Sequence, residues 1–395
     1  MGIPSPVRPV APARCAELER FSDIDAKAVA SPQRHQARGL KPWWEAQHLA
    51  FPLCLFAGGP PAARHLAAVS RGLRKAVSGA WADLARHFPD RLYVVGGLDR
   101  DYRPVSTADR YDPRTGVWEP LPALPSPRSG PSAVAAAGRL YVLGGECRGR
   151  ALCDVLRFDP WLGSWEVLPP MHEGRIRPAV TICGSYLYVL GGLDGSRPLR
   201  SAERYDMLNR IWEVLPAMHR VRYAGSAAIR GHRVFAMGGD IADAGVPAAS
   251  AEVFDTQLGR WELLPAVQAA CCGAATVLTT ASGVAFSFGG LGLSGQALGL
   301  AKRLAIGTSS SSASRVQSSD RQGLLQWSCI PAMPTPRHQA SAAPFRGGAV
   351  VVGGKGAKFE AVRDVECFNP DVGTWEVLPE LPNPRLRTAV AGGCL

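Results

Sequence analysis

The chain has 395 residues, 46% of them hydrophobic, which suits two or three domains or one large all-β domain. Its formal charge is +11, from 44 Lys and Arg against 33 Asp and Glu. The cations are scattered without a Lys/Arg run, which argues against nucleic acid as a partner. No run of about 18 apolar residues offers a membrane helix.

At the N-terminus no charged region precedes an apolar core, so a secretory signal is not expected. "MGIPSP" misses a myristoylation signal because Pro6 stands where Ser or Thr is required. Residues 1–40 are rich in Pro, Ala and Arg and are expected to be disordered, apart from a helix within 13–29 where Cys15, Leu18, Phe21 and Ile24 recur at three-residue spacing. The ten cysteines of the chain form no CxxC pair and no metal-like spacing. They are expected to be reduced thiols in a cytoplasmic protein, with the nucleus a second compartment.

Residues 41–89 predict two or three short helices, with Leu66, Val69, Leu73 and Val77 on one apolar stripe. "LAAVSRGLR", a short break and a Trp-x-x-Leu end at Trp81 and Leu84 resemble the second half of an F-box, with "FPLCLFAGG" in place of a shortened opening helix. That resemblance implies docking to the adaptor of a cullin-type ubiquitin ligase through Leu66, Val69, Leu73, Trp81 and Leu84. A small helical cap on the rest of the chain is the alternative.

From residue 90 onward the sequence repeats. "LYVVGGLD", "LYVLGGEC", "LYVLGGLD", "VFAMGGDI", "AFSFGGLG" and "VVVGGKG" place glycine pairs beginning at Gly96, Gly144, Gly191, Gly238, Gly289 and Gly353, spaced 48, 47, 47, 51 and 64 residues apart. Each pair is followed by a Trp: Trp118, Trp165, Trp212, Trp261, Trp327 and Trp375. An aromatic-Asp or aromatic-Asn step lies between in five copies, as in Tyr111-Asp112 and Phe368-Asn369. Such a period, with a diglycine and a Trp, resembles the kelch repeat. The resemblance covers residues 91–395 and implies an all-β fold: a six-bladed β-propeller with one four-stranded antiparallel blade per repeat. The residue types agree. The apolar run before each diglycine suits a strand buried on both faces, the glycines permit close backbone approach, and the Trp fills the wedge between blades.

In family terms strand A follows an Arg sixteen residues before the diglycine, which fits Arg128, Arg175, Arg222 and Arg337. Strand B leads into the diglycine, C carries the aromatic-Asp step and D the Trp. The first copy lacks strand A, whereas "RLRTAVAGG", opening at Arg385, is a surplus one. The C-terminal strand is therefore expected to close the ring as strand A of the first blade, leaving no long exposed edge. The fifth copy lacks the aromatic-Asp step and inserts a Ser-rich stretch, 307–323, between C and D. It is expected to be a surface loop.

Neither catalytic motif nor metal-like His spacing is present, so no enzyme, metal or cofactor is expected. Strand alternation puts the B–C and D–A loops on one face. The expected binding rim there comprises Asp99, Glu146, Asp194, Asp240 and Lys355 from B–C loops, with Ser129, Arg177, Tyr223, His338 and Arg387 from D–A loops. Arg177 and Arg387 could fork onto a partner's carboxylate. The repeat arginines are expected to be structural. The function this implies is protein or peptide binding, most concretely as the substrate receptor of an F-box ubiquitin ligase. A cytoskeletal, actin-associated or other scaffold is the alternative, and a propeller enzyme a more distant one.

Overall fold

Short runs such as RLYVV, YLYVL and GAVVV have the composition of strands buried on both faces. In the computed structural model, which describes residues 90–239, 250–264, 273–279, 284–292, 294–305 and 327–393, each becomes the second strand of a four-stranded antiparallel sheet. Six such sheets form the blades of a propeller. Blade II runs Ser132–Ala136 (A), Arg139–Leu143 (B), Val155–Asp159 (C) and Ser164–Leu168 (D). Blade III runs Ala179–Cys183, Tyr186–Leu190, Ala202–Asp206 and Ile211–Leu215, and blade IV Ser226–Arg230, Arg233–Met237, Ala251–Asp255 and Arg260–Leu263. Blade V runs Ala275–Thr279, Val284–Phe288, Ala301–Ala305 and Ser328–Ile330, and blade VI Ser341–Phe345, Gly348–Val352, Val365–Asn369 and Thr374–Leu378.

Blade I takes strands B to D from Arg91–Val95, Ala108–Asp112 and Val117–Leu121, and strand A from Ala389–Gly393. The seam register pairs Arg91 with Gly393 and Val95 with Ala389. The ring is thus closed by the end of the chain, as the surplus strand after Arg385 predicts.

The core is divided among the six blade interfaces. Leu92 and Val94 of blade I pack with Val350 and Val352 of blade VI, and Leu187 and Val189 of blade III with Leu143 and Val155 of blade II. The other four interfaces carry clusters of the same kind. In the five blades with a strand C aromatic, the Trp of strand D sits directly across from it, as in Tyr205 opposite Trp212, with ring centroids 5.0 Å apart. Its indole N–H reaches back to the preceding blade, Trp212 to the Pro169 carbonyl at 2.8 Å and Trp118 across the seam to Pro379 at 2.9 Å. Each such Trp therefore fills the wedge and ties two blades together with a net contribution of about 1 kcal/mol from the hydrogen bond alone.

The diglycine has a similar double task. Gly191 and Gly192 adopt φ of +62° and +100°. A Cβ on Gly191 would meet the Arg222 carbonyl oxygen at 2.3 Å, while the Gly192 N–H donates to that same oxygen at 2.7 Å. Only glycine allows this approach of one blade's B–C turn to the next blade's D–A loop.

The residues expected to be disordered (1–40), the F-box-like helices (41–89), Asp240 and the insertion 307–323 lie outside the described residues. Among the described residues no helix is long and apolar enough to cross a membrane.

Candidate functional site

The repeat arginines are consumed by the fold. Arg128, Arg175, Arg222, Arg337 and Arg385 are all 2% exposed or less. Arg175 shows why: its guanidinium donates to the Gly191 carbonyl at 2.7 Å and to Glu203 at 3.0 Å. Glu203, buried on strand C, also accepts the His172 backbone N–H at 3.0 Å, so the carboxylate clamps the D–A loop. Arg222 with Glu252 (2.9 Å), Arg337 with Glu366 (2.6 Å) and Arg385 with Asp109 repeat the arrangement from the second residue of strand C. In blade II that second residue is Leu156, and Arg128 turns to Asp154 at 3.2 Å instead. Buried charges persist only when paired, and each of these arginines faces a carboxylate within 3.2 Å.

With the roots fixed in this way, the loops assemble at one end of the ring. The residue after four of the five repeat arginines forms a two-hydrogen-bond rung with the residue after the diglycine: Ser129 with Glu146, His338 with Lys355, Ile176 with Leu193 and Leu386 with Leu98. The B–C and D–A loops therefore share a face, as the alternation of strands requires.

One residue further on, Gly130, Arg177, Ala224, Gly273, Gln339 and Arg387 all adopt left-handed φ, between +49° and +69°. Three of them, Gly130, Arg177 and Ala224, line a central channel of about 1100 Å³ that is walled by the A strands. The backbones of all six link blade to blade: Gly130 N–H to Arg387 (2.8 Å), Arg177 to Gly130 (2.7 Å), Ala224 to Arg177 (3.2 Å), Gln339 to Gly273 (2.9 Å) and Arg387 to Gln339 (3.3 Å). Arg177 and Arg387 thus have their backbones in the ring, and Arg177 also lines the channel. They do not meet as a fork. The Arg177 guanidinium lies 5.7 Å from the Tyr223 ring centroid, whereas Arg387 donates to Gln339 at 3.2 Å on the opposite side.

The remaining expected rim residues separate into two kinds. Asp99 and Asp194 cap their own loops. Asp99 accepts the backbone N–H groups of Asp101 and Arg103, each at 2.9 Å, and Asp194 those of Ser196 and Arg197. Those backbone hydrogen bonds hold the Asp194 carboxyl below the ordinary carboxylate range. Ser129 and His338 are not surface groups, at 2% and 3% exposure, because the rungs draw them under the loops. Burial, reinforced by the Lys355 ammonium, lowers the His338 pKa from its ordinary value, and its Nδ1 has no hydrogen-bond partner. Glu146 and Lys355 are half-buried on the face. Among the described residues no group of three or more His, Cys, Asp or Glu is arranged to hold a metal.

Two residues absent from the expected rim stand out on this face. Tyr102 and Phe359 occupy the B–C loop tips of the neighbouring blades I and VI, 50% and 52% exposed. Both have left-handed φ, +59° and +63°, a conformation that costs a side-chain-bearing residue about 1–2 kcal/mol. The Tyr102 hydroxyl donates to the Phe359 carbonyl at 3.3 Å, the Lys355 ammonium sits 4.5 Å from the Tyr102 ring centroid, and His338 meets the Phe359 ring edge-on at 5.7 Å. The available sequence signal was a non-glycine six residues after the first glycine of the pair, where blade V has Gly295.

A model of the KLHDC2/KLHL20/DRC7 Kelch-repeats domain matches residues 80–239. The chain is 43% identical over 58 residues to alpha-scruin of Limulus polyphemus, 15% of this chain and 6% of that protein. It is 42% identical over 55 residues to the human kelch repeat and BTB domain-containing protein 13, 14% of this chain and 12% of the relative. An F-box/kelch-repeat protein of Arabidopsis thaliana is 46% identical over 54 residues, 14% of each chain. The chain thus aligns with well under a fifth of these relatives' lengths. The solved structure of YjhT is similar in fold, with a TM-score of 0.57 at 15% identity, covering 72% of this chain and 97% of YjhT.

Proposed function

We propose that this chain, a six-bladed propeller of kelch-type repeats, is a protein-interaction scaffold whose B–C and D–A loop face holds a protein or peptide partner. The observation that carries this is the division of labour within each repeat. The diglycine, Trp and Arg are spent on joining blades, while the side chains one residue past the rungs and at the loop tips vary from blade to blade on a rigid base. Such a base keeps the ordering cost of binding low. On this face Glu146, Arg177, Tyr223, Lys355 and Arg387 are the contact groups. Ser129 and His338 support them from beneath, and Asp99 and Asp194 shape the loops.

The finer role is substrate receptor of a cullin-type ubiquitin ligase, with Leu66, Val69, Leu73, Trp81 and Leu84 docking the adaptor subunit. The F-box-like pattern of residues 41–89 and the similarity to an F-box/kelch-repeat protein support it. Co-purification of the full chain with the adaptor tests it, using Leu73→Asp as control. Retention by the wild type and loss in the variant is the expected result. If the adaptor is not retained, the ubiquitin role falls and the scaffold role stands. For the face, Arg177→Ala and Tyr223→Ala are expected to reduce partner capture without changing the melting temperature by more than a few degrees. Unchanged capture in both would place the partner elsewhere.

A further inference from the structure

Blades I, V and VI use the same B–C hairpin. Its tip residue donates its N–H three residues back, Tyr102 to Asp99 (3.1 Å), Gly295 to Gly292 (2.9 Å) and Phe359 to Gly356 (3.1 Å). The residue after the diglycine also pairs across each hairpin, Leu98 with Pro104, Leu291 with Ala297 and Lys355 with Ala361. Blade V places glycine at the left-handed tip, the residue that conformation favours. Blades I and VI place a large aromatic there instead, next to one another across the seam. Neither turn is closed by its aromatic ring: half of each aromatic faces solvent, and the turns are closed by backbone hydrogen bonds and, in blade I, by the Asp99 carboxylate. Bulky side chains held in this region of φ/ψ are what a binding site displays.

Resting on the interaction-face role above, we propose that the exposed aromatic surface of Tyr102 and Phe359 is a peptide-recognition site. It takes a large apolar side chain on the two rings and an adjacent acidic side chain on Lys355. The Lys355 ammonium is already positioned by the Tyr102 ring and presents its charge beside them. His338, 3% exposed, supports the Phe359 ring edge-on from beneath. The charge of the two loops selects a peptide over a polyanion. Residues 98–107 carry two Arg and two Asp, and residues 355–364 two Lys, one Arg, one Glu and one Asp. The result is nearly neutral, so a chain of phosphates gains little there, whereas one carboxylate beside an apolar anchor is matched.

Blade V supplies the control, since glycine at this tip is compatible with the fold. The full-length chain is applied to an immobilised random short-peptide array and, in parallel, to single-stranded oligonucleotides. Peptides with a large apolar residue beside Asp or Glu are expected to be retained. Affinity for a selected peptide should fall roughly tenfold or more in Tyr102→Gly and in Phe359→Gly, the scale of an aromatic hot spot, while the melting temperature holds or rises because strain is relieved. Lys355→Ala should keep the apolar preference and lose the acidic one. The proposal is overturned if both glycine variants bind as wild type, if their melting temperatures fall by several degrees so that the rings are structural, if oligonucleotides are retained in place of peptides, or if no peptide is retained. Selected peptides lost on Arg177→Ala yet indifferent to both glycine variants would leave the interaction face standing and this aromatic surface rejected.

Discussion

Blades III and V share a four-strand plan and differ in nearly every polar device. Blade III has Arg175 locked to Glu203, Tyr205 against Trp212, and the Trp212 indole bonded to Pro169. In blade V the residue four before strand A is Cys271, outside the described residues, in place of the Arg. The second residue of strand C is Lys302 in place of the carboxylate, and Leu304 replaces the aromatic. The Arg and its acid have changed together, which is what burial demands: either one alone leaves a desolvated charge. Blade V still takes its place in the ring because its apolar contacts remain on both sides, Ala285 and Leu304 toward blade IV, Phe286 and Phe288 toward blade VI. Apolar burial makes the blade, and the polar lock refines it.

The largest effect expected comes from removing a strand common to the plan. Deleting residues 385–395 strips blade I of strand A and leaves the Arg91–Val95 edge unpaired at the channel. Insoluble protein, or a melting temperature lower by more than about ten degrees, is expected. A truncated chain that melts within a degree or two of the intact one would show that the seam contributes little.

Breaking the lock of blade III comes next. Arg175→Ala leaves Glu203 buried at 1% exposure without its cation and should cost about 3–5 kcal/mol by chemical denaturation. Replacing both, as Arg175→Met with Glu203→Leu, mimics the joint loss seen in blade V and should recover most of that. A double variant no more stable than the single one would mean that the charges act individually.

A smaller change probes the blade staple. Trp212→Phe keeps the ring and removes the 2.8 Å bond to Pro169, so a loss of about 1–2 kcal/mol is expected. The same exchange at Trp261, bonded to Pro216 at 2.8 Å, should match it. Two unequal losses would indicate that the wedge, not the hydrogen bond, sets the cost. Least of all should come from excising residues 308–322 of blade V, a stretch between strands C and D. Unfolding within a degree or two of the parent is expected, since loop length costs only about 0.6 kcal/mol per doubling. Failure to fold would place a strand in the segment.

The blade number, the ring closure and the structural duty of Arg175 and its counterparts were legible in the sequence, because they follow from a period. A diglycine, a Trp and a surplus strand after Arg385 recur at fixed spacing, and backbone register is a local property. The face was legible for the same reason. Strand alternation alone brings the loop with Arg177 to the side that carries Lys355.

Solvent access and neighbours across the ring were not. The spacing marks Ser129 and His338 as loop residues, yet backbone rungs to Glu146 and Lys355 draw both below the surface. Arg177 and Arg387 occupy equivalent positions, yet they turn to Tyr223 and Gln339, partners set by the ring and not by the repeat. Tyr102 and Phe359 are 257 residues apart and become neighbours only because the C-terminal strand closes the circle beside blade I. The sequence by itself determined the repeat, since each blade's hydrogen bonds and apolar stripe are written within some fifty residues. Which side chains share the loop face, and which of them water reaches, was decided by the closed tertiary ring, because contacts between first and last blades depend on geometry that no single repeat encodes.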